Sequence, residues 1–207
     1  MAGKHPTRPY IRKMGTIECN NIVETTPLVW KGELYRFEVV RSRSFTATNA
    51  CSDWNELGDS PCLRFVHVRS NTPTPLFADD HTFGFPYVVG DTMYVITGAG
   101  KNWGVDTLDI FKSKDLVNWE RSPINPVLMY NNFEDKQIAS AFLTPEDRKR
   151  IEEALDIYNS DMELCEFLGR TLIYYSWCDQ MGTEFLAEAW YDGSMHEFLK
   201  AWFEPKE

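Results

Sequence analysis

One pattern recurs three times along the chain, and it restricts the fold more than any other feature. Pro27-Leu28-Val29-Trp30-Lys31-Gly32-Glu33-Leu34-Tyr35-Arg36-Phe37 places two runs of β-formers about a glycine turn. Pro86 to Ile96 does the same about Gly90-Asp91, and Leu164 to Tyr175 about Gly169-Arg170. A Gly-polar turn between two such runs is a hairpin signal, and recurrence is the mark of a repeat fold. Each hairpin is followed by further strand-like sequence: Cys62 to Arg69, Thr107 to Phe111, and Glu184 to Trp190. The chain is therefore expected to be mainly β, with about three antiparallel sheets of about four strands each.

A second motif closes the middle repeat. The alternating run Asp109 to Lys112 enters Ser113-Lys114-Asp115, followed by Leu116 and, three residues later, Trp119. The turn residues can hydrogen-bond their own backbone, while Leu116 and Trp119 fold back over the end of a small sheet. This Ser-x-Asp-Leu-x-x-Trp unit resembles the blade ends of five-bladed β-propeller glycoside hydrolases, the superfamily of arabinanases, β-xylosidases and fructan hydrolases. The resemblance covers roughly residues 17–203. It implies an N-terminal arm over 1–16 and one propeller-like domain over 17–207, with blades at about 22–78, 79–128 and 159–203. Three blades are fewer than a closed ring of at least ~4. The first two resemble the family's N-terminal blades, and the segment from Ser113 onward its C-terminal part. About two middle blades are then missing, with Lys112 to Trp119 as the seam, which makes the expected fold a partial β-propeller.

One helix is expected to interrupt the strands near 145–158. Thr144-Pro145-Glu146-Asp147 supplies an N-cap, a proline at the first helical position and acids in the first turn. Ile151, Ala154, Leu155 and Tyr158 would form its apolar face. A shorter helix is possible from Ser194 to Ala201, where Met195, Phe198, Leu199 and Trp202 share a face.

Composition narrows the partners. The net charge of −10 argues against nucleic acid or an anionic membrane, and 14% aromatic residues suit β-structure and sugar stacking. No apolar run approaches the ~20 residues of a membrane span. Met1 to Lys13 is basic without an apolar stretch, so no secretory signal is expected and the location is expected to be cytoplasmic. The five cysteines form no CxxC pair and read as reduced thiols; the four histidines lack metal-ligand spacing, so neither metal nor other cofactor is expected. A neutral oligosaccharide or glycoside fits this balance.

Glycoside hydrolysis needs two carboxylates, one to protonate the leaving oxygen and one to activate water or attack carbon. Aligning the hairpins on Gly32, Gly90 and Gly169 puts Glu24, Thr82 and Asp161 eight residues before each glycine, at the starts of the innermost strands. Glu24 resembles by position the family's first-blade carboxylate, which often acts as base or nucleophile; the alternative is a surface Glu before a strand. Asp161 is its expected partner, and strand alternation would send Glu163 to the same face. Asp80 and His81 precede the second innermost strand, where they could support the pair or simply cap a loop. Trp103 or Trp177 could supply a stacking platform, although a core Trp is the commoner role. Asp179, Gln180 and Glu184 lie at neighbouring strand ends as candidates for sugar hydroxyls. Arg64 and Arg69 could clamp a carboxylate substrate, although solvated arginines are the commoner case.

The resemblance implies a glycoside hydrolase-like protein, or one derived from an enzyme of that kind. In that family the general acid commonly lies on a middle blade, so absent blades would remove it. The alternatives are a non-catalytic shortened isoform or fragment that binds sugar or protein, and a β-rich interaction domain unrelated to sugars. Unclosed blades predict self-association through open faces, a collapsed non-propeller arrangement or poor solubility, with Phe37, Val39, Phe65 and Val66 on one open face and Ile173, Tyr175, Phe185 and Leu186 on the other.

Overall fold

A computed structural model describes residues 12–17, 25–40, 61–100, 107–178 and 184–204 of the 207. It is mainly β, with three antiparallel sheets and two helices among the described residues. The first sheet runs in the order β1 (Thr26–Trp30), β2 (Glu33–Val40), β3 (Cys62–His67), β4 (Thr72–Pro73). The second runs β5 (His81–Val89), β6 (Thr92–Ala99), β7 (Thr107–Ser113), β8 (Glu120–Arg121), and β9 (Leu128–Met129) also pairs with β7. The third holds three strands, β10 (Tyr158–Phe167), β11 (Arg170–Cys178) and β12 (Glu184–Tyr191).

The repeated hairpins form because each turn has residues that tolerate a left-handed backbone. Lys31-Gly32 and Leu168-Gly169 have positive φ at both central positions, as a two-residue type I′ connection requires, and Gly90 has φ 57°. The sheets stack face to face as in a propeller. Phe37, Val39, Leu63 and Phe65 of the first pack on Met93, Val95 and Phe111 of the second. The other face of the second, with Tyr94, Ile96, Leu108 and Ile110, packs on Met162, Ile173, Tyr175 and Trp177 of the third. Alternation along β6 thus feeds two cores, because a central blade is apolar on both faces.

The blade-closing motif behaves as its residues require. Ser113 Oγ accepts from the backbone N–H of Asp115 and Leu116, and Asp115 Oδ1 accepts from those of Val117 and Asn118. These bonds, the Asn118 backbone first, hold the exposed Asp115 carboxyl well below the usual carboxylate range. Leu116 is buried beneath the turn.

Three expectations are corrected. The first helix, α1 (Pro145–Glu153), stops short of 158 because Ala154 turns to an extended backbone; only Ile151 of its expected apolar face is both helical and buried. Tyr158 belongs instead to β10. Phe37, Val39 and Phe65 do not lie on an open face, since they fill the core between the first two sheets, and neither do Ile173 and Tyr175, which fill the core between the second and third. Val66 is also buried, on the side where Glu38 lies between Arg36 and Arg64, with Arg64 Nε donating to Glu38 Oε2 at 2.8 Å. Arg64 is thereby engaged and buried. The second helix, α2 (Met195–Ala201), follows Ser194 as N-cap and buries Phe198 and Leu199. No helix among the described residues is long and apolar enough to cross a membrane, and Cys165 carries a free thiol.

Candidate functional site

β10 carries the densest set of candidate groups. Its register against β11 shifts between Ser160 and Glu163, so the strand contains a bulge, with Asp161 at φ 52°. Bulges of this kind re-aim side chains, and Asp is one of the few residues with a tolerable left-handed conformation. The simple alternation expected to align Asp161 with Glu163 is therefore interrupted. β5 has the same break one residue later in the repeat, between Thr82 and Gly84, with Phe83 at φ 47°. There Gly84 lies so close to β6 that an added Cβ would meet Ile96 O at 2.9 Å.

Asp161 and Glu163 are both exposed. Ser160 Oγ donates to Asp161 Oδ2 at 2.8 Å. Partial desolvation, and then the neighbouring Asp161 charge, push the Glu163 carboxyl up. Tyr87 of β5 reaches across to accept the Leu164 backbone N–H at 3.2 Å, and burial and then Glu163 push its hydroxyl up. Two carboxyl groups in unequal environments, beside a phenol from the next blade, make a polar corner at the seam of β5 and β10.

The register extends this corner across the third sheet. Glu163 pairs directly with Tyr174, and Tyr174 with Glu188. Residues directly opposite share a face with Cβ atoms about 5 Å apart, and all three are exposed, Tyr174 at 42%. An accessible aromatic ring is thus flanked on both sides by carboxylates. Trp190, on the same face, is engaged differently: its Nε1 donates to Glu188 Oε1 at 2.7 Å and the Arg170 guanidinium lies over its ring.

The other expected residues fall in several places. Trp177 is not a platform; it is 1% exposed, stacked on Phe185 in the core, because β11 turns its odd positions inward. His81 is buried, its Nδ1 donating to Asp79 O at 2.7 Å and its Nε2 3.1 Å from Asp109 Oδ2, so both ring nitrogens are committed, one to the turn before β5 and one to β7. Asp80 is half-buried at φ 59°, with its carbonyl accepting Gly100 N–H. Glu184 is exposed and accepts from Tyr158 OH at 3.1 Å, near the start of β10 and on the same sheet end as Asp161. Glu24, Trp103, Asp179 and Gln180 lie outside the described residues.

Sequence reasoning missed Tyr174 and Glu188, and also a buried acidic pair. Asp135 is 6% exposed and Asp156 1%. Asp135 accepts from Asn131 N–H at 2.8 Å, Tyr175 OH at 2.5 Å and Asn159 Nδ2 at 3.3 Å. Burial first, and then Asp135, push the Asp156 carboxyl up to about 7. A cavity of about 530 Å³ lies elsewhere, on the outer rim between the second sheet and α2, bordered by Tyr94, Lys112, Trp119 and Phe203. Of its three lysines, Lys112 pairs with Glu120 and Lys200 with Glu204, and the β10 carboxylates are not among its lining residues.

No protein-family model and no curated protein matches the sequence. Among solved structures, the chain is similar to a Bombyx mori GH32 beta-fructofuranosidase in complex with sucrose, at 14% identity and TM-score 0.46, over 88% of this chain and 36% of that one. It is similar to the Bacteroides ovatus xyloglucan PUL protein GH43B at 15% identity and TM-score 0.41, over 81% and 30%. The catalytic domain of a Coprinopsis cinerea GH62 alpha-L-arabinofuranosidase follows at 7% identity and TM-score 0.40, over 86% and 49%. The chain spans between 30% and 49% of the length of these structures.

Proposed function

We propose that this is a glycoside hydrolase-like propeller protein that binds a neutral oligosaccharide along the exposed face of its third sheet. The observation that carries the reading is Tyr174 flanked by Glu163 and Glu188 in direct cross-strand register. A sugar offers an apolar ring face to an aromatic platform and hydroxyl donors to carboxylates, and this face offers both acceptors beside the ring. Tyr174 takes the role that the sequence suggested for Trp103 or Trp177. Asp161, at the bulge, is the candidate catalytic carboxylate. Hydrolysis requires a second carboxylate across the scissile bond, and Glu24 remains the candidate for it. Asp161 and Glu163 come from one strand, which favours contact from one side of a sugar rather than a grip on both.

The test is a calorimetric titration with neutral oligosaccharides, paired with release of product from aryl glycosides. Binding that is lost in Tyr174→Ala and weakened in Glu188→Gln supports the reading. Binding unchanged in both variants refutes the face. Turnover abolished by Asp161→Asn would add catalysis, and absence of turnover with binding intact would make the protein a sugar-binding module.

A second reading rests on a different observation. Leu186 is 73% exposed and Trp190 37%, on the same face as Tyr174, so the third sheet offers an uncovered apolar strip. Self-association through that strip would make the chain an interaction module.

A further inference from the structure

We propose that Asp135, Asp156 and Asn159 form a binding site for a hard divalent cation, calcium foremost, where the loop before α1 meets the first residues of β10. Both Asp156 carboxylate oxygens are buried without a hydrogen-bond donor, and so is Asn159 Oδ1, on a residue that is 0% exposed. Asn159 donates from Nδ2 to Asp135 Oδ2, which fixes its amide against the pair and leaves its oxygen as a further acceptor there. The cluster thus presents oxygen lone pairs in excess of donors. Tyr175 OH and the Asn131 amide both donate to Asp135. Lys136 donates to the carbonyl of Glu152 at 3.4 Å.

Leaving such groups unpaired is costly, since each buried acceptor has given up its hydrogen bonds to water without a replacement. A single shared proton would satisfy one oxygen of Asp156 and leave the other, together with Asn159 Oδ1, without a donor. A divalent ion satisfies all three and neutralises the two carboxylates at once. Calcium takes 6–8 oxygens in flexible geometry from carboxylates, amide oxygens and water, and this donor set is all oxygen. Asn159 stands two residues before Asp161, so the ion would anchor the start of the strand that carries the candidate site. The inference is independent of the sugar reading.

The experiment uses the full chain, stripped with a chelator and then titrated with calcium chloride and, separately, with terbium. Calcium at about a hundredfold excess over its dissociation constant should raise Tm by roughly 5–10 °C. Terbium should show emission sensitised by Tyr175 and Trp177, and added calcium should quench it by displacement. Asp156→Asn keeps the shape of the side chain and should lose both responses while retaining its circular dichroism. Glu152→Gln, an exposed neighbour, should keep both. No Tm shift and no sensitised emission in the unaltered protein would leave a pair that merely shares a proton and overturn the site. Responses that survive Asp156→Asn would equally overturn it, by placing the ion elsewhere.

Discussion

The indole of Trp119 stacks on the ring of Phe77 with centroids 3.8 Å apart and planes 4° from parallel. Phe77 joins the first sheet through its bridge to Leu63, whereas Trp119 ends the turn that closes the second. One ring contact therefore ties two blades together, and Phe65 extends the stack at 5.8 Å. Trp119→Ala should lower unfolding free energy by about 2–4 kcal/mol, less than a fully buried Trp would cost because Trp119 is only half-buried. Urea denaturation checks it; an unchanged midpoint would show that the stack contributes nothing.

Asp109 is 1% exposed and receives His81 Nε2 at 3.1 Å and both Nε and Nη2 of Arg121 at 2.9 and 2.6 Å. Burial raises its carboxyl, but the bonds from His81 and Arg121 outweigh burial and hold it below the usual value. A carboxylate lowered by folding stabilises at pH above its unfolded value of about 3.9, and that stabilisation is lost as pH falls through the folded value. The urea midpoint should therefore drop on acidification below about pH 4. Asp109→Asn should flatten that drop and cost about 2–4 kcal/mol at pH 7, mostly by removing the buried carboxylate that His81 Nε2 and Arg121 both bond. Arg121 is 59% exposed, so its share is screened and Arg121→Gln should cost less.

Glu163 should titrate above an ordinary Glu when followed by carbonyl-carbon NMR, since burial and Asp161 both push it up. Asp161→Asn removes only the smaller cause, so the midpoint should fall part of the way and remain raised. A raised acid works against folding as pH climbs through it, and Glu163→Gln should be slightly more stable at neutral pH than the parent. A midpoint unmoved by Asp161→Asn would separate the two groups.

Leu186 and Tyr174 lie uncovered on one sheet face, and Phe167 is 54% exposed at its hairpin end. Light scattering at micromolar concentration should give a mass above the 24.0 kDa of the chain. Leu186→Lys should return it to monomer, because one buried charge in such a contact costs more than the burial of a leucine gains. A matching oligosaccharide should compete with association, as both use the Tyr174 face. A clean monomer of the unaltered chain would sink the second reading.

Local chemistry was legible in the residues themselves. Turn glycines at 32, 90 and 169 demanded left-handed backbone, the Ser113-Asp115 turn could serve its own amides, and Thr144 could cap a helix, because each of these interactions reaches only a few residues along the chain. Two-fold alternation likewise told that β6 and β11 have two distinct faces, but not which neighbour each face meets. That was decided by stacking of the blades. It sent Trp177 into the core and Tyr174 to solvent, buried Phe37 and Phe65 against the second sheet, and drew Asp135, Asp156 and Asn159 to one point across 24 residues of chain. The bulge at Asp161 belongs to the same class: alternation predicts where a regular strand points, and a one-residue slip in pairing, set by the partner strand, reverses it.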